Sequence, residues 1–162
     1  VRVVLLAFIL VALARGLHDA VFFHATLFLA FTPAWLVRDT RALFFEALLL
    51  ALFATTLGLA LFASYALPSS VFGWDKLFHF LAGVALAGLA WTAAPHVVGV
   101  RRADRLAFVA LACSVLFLGW EVYEWFFYAF LGGSPAFTLV DTWLDVVVDT
   151  AGAFLALRLV RA

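Results

Sequence analysis

The chain has 162 residues, of which 68% are hydrophobic and 12% charged, with a mean hydropathy of +1.17 and a formal net charge of zero. A soluble domain carries roughly 25% charged residues, so this chain lacks the polar material to cover a water-facing surface. Its balanced charge points to no nucleic-acid partner, and its single cysteine, Cys113, excludes an internal disulfide framework.

A membrane-spanning helix needs about 20 mostly apolar residues, and six segments approach that requirement in chain order. Residues 1–14 come first, with no small-residue cleavage pattern behind them, and read as a retained span. Residues 20–37 and 42–67 follow, joined by the polar turn Arg38-Asp39-Thr40-Arg41. Pro68-Ser69-Ser70 and Gly73 then mark a turn before the fourth segment, 76–100, which carries Pro95 near its end. The fifth covers 106–131 and the sixth 141–160, separated by Gly132-Gly133-Ser134-Pro135. No linker is long enough to divide domains. The expected architecture is all-α: one polytopic transmembrane helical bundle of about six spans over residues 1–162.

Basic residues set the expected orientation, because short cytoplasmic loops are enriched in Lys and Arg. Arg2, then Arg38 and Arg41, then Arg101, Arg102 and Arg105, and finally Arg158 and Arg161 fall on one side of the alternation. Arg15 and Lys76 fall on the other. This pattern predicts both termini in the cytoplasm.

With that topology, Asp19, Asp75, Glu121, Glu124, Asp141, Asp145 and Asp149 all lie toward the outer side, together with His18, His24 and His79. Seven carboxylates face two cations there, an arrangement that requires protonation, water or a bound cation. Asp75 and His79 are four apart and share a helix face that continues through Gly83, Ala87, Ala90 and Ala94. Glu121 and Glu124 are expected to continue inward through Phe117 to Ser114 and Ala110. Asp141, Asp145 and Asp149 occupy successive turns leading to Gly152, Ala153 and Ala156. Small residues suit close helix packing, so the acids are expected to point into the bundle. At about 1.5 Å per residue, Asp149 lies roughly 12 Å along the helix from Asp141, too deep for an interfacial acid. Trp74, Trp120, Trp125, Trp143, Tyr65, Tyr123 and Tyr128 read as an interfacial aromatic belt on that side.

Three ordered stretches carry a family resemblance: Asp75-Lys76-Leu77-Phe78-His79-Phe80, Glu121-Val122-Tyr123-Glu124-Trp125, and Asp141-Thr142-Trp143-Leu144-Asp145 running on to Asp149-Thr150-Ala151-Gly152-Ala153. Over about residues 74–156 they resemble the YjdF-like inner-membrane proteins and, more distantly, the VanZ-like proteins linked to teicoplanin resistance. Asp149 stands where the VanZ-like pattern carries Asn, and the arginine of that pattern has no counterpart. The resemblance implies residence in the bacterial inner membrane and a polar site built from the three motifs. It implies no mechanism.

Three functional readings follow from the residues. In the first, Asp75, His79, Glu121, Glu124, Asp145 and Asp149 hold a divalent metal such as Zn, Mn or Fe. Glu124 or Asp149 then acts as general base in hydrolysis or transfer on a lipid or lipid-linked substrate. In the second, the acids and His79 form a proton-coupled transporter or relay, although Glu46 and His96 are the only ionisable partners toward the inner side. In the third, they form a structural hydrogen-bonded knot, with Lys76 paired to Asp75 or Asp145, or a docking surface for a membrane partner or a second copy. His96 reads as interfacial, Glu46 as snorkelling or paired, and Cys113 as a packing residue. His18 and His24 stay open between metal site and interface. Ser64, Ser69, Ser70 and Ser114 lack an activating motif, and no phosphate loop or nucleotide fingerprint is present.

Overall fold

The computed structural model describes residues 2–14, 16, 40–62, 72–131 and 138–160. Their regular structure is helical throughout: α1 (Arg2–Ala14), α2 (Thr40–Phe62), α3 (Phe72–Val97), α4 (Arg102–Leu131) and α5 (Leu139–Leu159). No strand occurs among them. The expected second span lies outside the described residues, as do Asp19, His18, His24, Tyr65 and the expected turn residues Pro68-Ser69-Ser70 and Gly132-Gly133-Ser134-Pro135. Two compact units divide the chain, Val1–Pro68 and Ser69–Ala162.

In the first unit α1 touches α2. Ala42, Phe45, Leu49 and Leu52 form the buried stripe of α2, spaced three and four apart as one helix face requires. Glu46 is half-buried.

The second unit is built around α3, which packs most extensively on α5 and less on α4. The α3–α5 contact follows from the small-residue faces read in the sequence: Gly83, Ala87 and Ala94 are buried on α3, and Gly152, Ala153 and Ala156 on α5. Two glycines make the approach reciprocal. A Cβ on Gly83 would collide with the backbone carbonyl of Asp149, and one on Gly152 with the backbone carbonyl of Phe80. Only hydrogen at both positions lets the two backbones meet, at the cost in helix propensity that glycine carries.

The face of α4 differs from expectation. Its buried line runs from Glu121 through Phe117 to Cys113 and Val109, whereas Ser114 and Ala110 are exposed. Steps of four, not three, carry the line from Phe117 onward. The opposite face exposes Leu111, Val115, Leu118, Val122 and Phe126, a continuous apolar stripe suited to lipid. Asp75–Val97 and Arg102–Phe126 are the two described helices long and apolar enough to cross a membrane. In α5, Asp141, Asp145, Asp149 and Arg158 fall within 21 residues, so composition alone does not mark it as a span.

Helix ends are fixed locally. At the C-terminus of α3 the Val98 N–H donates to Ala94 O at 2.9 Å, and Gly99 takes φ +91°, a conformation side chains disfavour. Arg105 reaches back from α4 over the Trp91 ring, 3.9 Å from its centroid, and donates from Nη2 to Trp91 O at 3.3 Å. At the start of α5 the Thr138 hydroxyl caps the Asp141 N–H at 3.1 Å, placing Asp141 in the first turn, where a carboxylate favours the helix dipole.

Candidate functional site

The N-terminal turns of α3, the second half of α4 and the first half of α5 bring the acids of the second unit together. Helical periodicity sets each side chain. Asp75, Lys76 and His79 project from α3 just above Gly83, and Asp141, Asp145 and Asp149 from α5 just before Gly152. The glycine contact therefore determines how closely the two sets of polar groups meet.

His79 is at the centre and is buried. Its Nδ1 lies 3.3 Å from Asp149 Oδ2, while Nε2 lies 3.6 Å from Asp145 Oδ1 and 3.9 Å from Asp75 Oδ1. An ionised carboxylate only accepts hydrogen bonds. In the neutral ring the Asp149 contact thus puts the proton on Nδ1 and leaves the Nε2 lone pair facing the other two acids. Ligand atoms of Asp75, His79 and Asp145 all fall within 4.8 Å of one another. Tetrahedral ligands around zinc sit roughly 3.3 Å apart, so the most widely separated of these atoms would need to close by up to about 1.5 Å to share an ion.

Lys76 lies among the same acids. Its ammonium donates to Asp75 at 2.9 Å, Asp141 at 2.7 Å and Asp145 at 2.5 Å. Asp145, itself 1% exposed, thereby contacts both Lys76 and His79. The sequence suggested Lys76 pairing with Asp75 or Asp145; the tie to Asp141 across the α3–α5 contact was not legible, because it depends on the register of two helices 65 residues apart.

From α4, Glu121 and Glu124 face the cluster. Glu121 is 3% exposed, and its charge couples to those of His79, Asp145 and Asp149. The Thr142 hydroxyl approaches it, yet neither carboxylate oxygen has a hydrogen-bond partner within ordinary geometry among the described residues. A buried carboxylate left this way is costly unless a proton or cation joins it. Glu124 is half-buried and couples to Glu121, His79, Asp75 and Asp145. Trp125 donates from Nε1 to Thr142 Oγ1 at 3.4 Å, linking α4 to α5 at the rim.

All six residues read from the sequence as candidate ligands thus gather at one end of the unit. Asp75, His79 and Asp145 form the tightest group, Asp149 backs His79, and the two glutamates approach from the third helix. Trp125 and Trp143 are exposed at this end, in keeping with an aromatic belt. His96 is exposed at the opposite end of α3, and Cys113 is buried on the packing face of α4.

One protein-family model, described as "Predicted membrane protein (DUF2238)", matches the chain over residues 1–162. No curated protein and no solved structure matches it.

Proposed function

Because the chain belongs over its whole length to this family of membrane proteins, we propose that it is a multi-pass protein of the bacterial inner membrane that holds a divalent metal ion among its buried acids. Asp75, His79 and Asp145 supply the first ligands, Glu121 completes the set from α4, and Asp149 orients the imidazole. The observation that carries this reading is the division of labour at His79: one nitrogen is held by a carboxylate and the other faces two more. Metal-binding histidines are typically oriented by such a partner on the second nitrogen. The unpartnered Glu121 carboxylate is a second reason for a cation. Zn, Mn and Fe suit this mixture of imidazole and carboxylate.

The orientation proposed is acids outward and termini inward. Arg101, Arg102, Arg105 and Arg158 lie at the end of the second unit opposite the acids, which agrees with cytoplasmic enrichment of arginine. The apolar stripe that α4 turns outward, away from the acids, suits a lipid surrounding, and the chemistry proposed for a site in that setting is hydrolysis or transfer on a lipid or lipid-linked substrate. Glu124 is then the base for a metal-activated water, because Asp149 is engaged with His79.

A structural knot is the second reading, and a specific observation favours it: Lys76 neutralises part of the cluster without any metal. Metal analysis of purified full-length protein separates the two. The metal reading expects about one equivalent of Zn, Mn or Fe, removed by chelator and lost in His79→Ala and Asp145→Asn variants that remain folded. Protein that is metal-free after growth and after reconstitution with each ion overturns it.

A further inference from the structure

Lys76 is the single lysine of the chain, and it is placed where a bound cation would be. Its ammonium contacts Asp75 and Asp145, two of the three residues whose ligand atoms converge, and adds Asp141. The same Asp145 oxygen, Oδ1, serves Lys76 Nζ at 2.5 Å and faces His79 Nε2 at 3.6 Å. A metal about 2.0 Å from that oxygen would lie no more than about 4.5 Å from the ammonium. Two cations so close in a poorly solvated site repel strongly. Lysine's flexible four-carbon stem allows retreat, and Asp75, 52% exposed on its side chain, marks the open edge toward which it can move.

We infer that Lys76 is a tethered stand-in for the metal: its ammonium fills the acid cluster when no ion is bound and swings out when a divalent cation enters. This rests on the metal reading above and adds what governs loading. The swap explains how several buried carboxylates coexist in the metal-free protein. It also sets metal affinity by competition, since a binding event must first break the charge-assisted contacts of Lys76 to Asp75, Asp141 and Asp145. Glu121, whose buried carboxylate oxygens lack a hydrogen-bond partner among the described residues, is the further ligand offered to the divalent ion.

The test uses the full-length protein in detergent or nanodiscs, titrated separately with Zn²⁺ and Mn²⁺. An amine-directed reagent reads one side chain here, Lys76, resolved from the terminal amine by peptide mass analysis. Labelling of Lys76 in the wild type is expected to rise at least about threefold on metal saturation, and the Lys76→Gln variant to bind the same ion about tenfold more tightly. A Lys76→Arg variant, which keeps the charge, is expected to retain weak binding, and it serves if Lys76→Gln does not fold. Metal binding with unchanged or reduced Lys76 labelling overturns the swap while leaving the metal site standing. Unchanged or weaker affinity in folded Lys76→Gln does the same. No binding by wild type or variants ends both readings together.

Discussion

His79 turns its two ring nitrogens to different carboxylates, and the metal site proposed above gives those contacts different roles that mutants separate. In the proposed metal site, removing the ring in His79→Ala takes away a ligand. Changing Asp149→Asn keeps the shape but replaces an acceptor-only group with one that can present a donor to Nδ1, favouring the wrong tautomer. We expect His79→Ala to lose stoichiometric metal. Asp149→Asn should weaken affinity about 10- to 100-fold, the usual cost of losing an orienting partner, with the ligand set intact by X-ray absorption. Equal loss in both variants would make Asp149 a direct ligand. At this scale the sequence was informative about identity and silent about role. Spacing of four put Asp75 and His79 on one face, but which nitrogen meets which carboxylate depends on α5, and α5 is fixed by contacts no single helix reveals.

The α3–α5 contact is made by backbone, so substitutions there read differently from ordinary core changes. Gly83→Ala and Gly152→Ala each drive a methyl group into a carbonyl that belongs to a helix and cannot rotate away. Destabilisation of about 1–3 kcal/mol is expected for each, measured by chemical unfolding in detergent. Gly119 on α4 is the control: a Cβ there meets nothing within 4 Å, and Gly119→Ala should stabilise by up to about 1 kcal/mol through helix propensity. Arg105→Ala should cost about 1 kcal/mol by removing the guanidinium from the Trp91 face. The small-residue faces of α3 and α5 were legible because glycine and alanine repeat at helical spacing beneath the acids. The face of α4 was not. With 3.6 residues per turn, stepping back from Phe117 by three or four gives Ser114 or Cys113, and only the packed neighbour decides for Cys113. The Arg105–Trp91 clamp was also missed, although an arginine just past a turn and a tryptophan just before it was the available signal.

For the whole molecule, hydropathy identified the solvent before any helix was placed, and the family match agrees with it. Fusions of a periplasm-active phosphatase after residue 131 should be active and fusions after residue 101 inactive if the acids face outward; the reverse pattern would put them at the cytoplasmic surface. The sixth segment, 141–160, reads in the sequence as part of the bundle with its acids inward, and α5 does pack on α3, although its acids and Arg158 leave it more polar than α3 and α4. Charge inside a helix lowers its apparent affinity for lipid, yet here the carboxylates Asp141, Asp145 and Asp149 are turned toward α3. The paired glycine contacts carry a mechanical corollary. Both sit about one turn from His79 and Asp149, and neither tolerates sliding, so the inexpensive motion left to these two rods is to pivot about that point. A rod that pivots moves at both tips, and any rearrangement around the carboxylates is therefore transmitted to the far ends of α3 and α5.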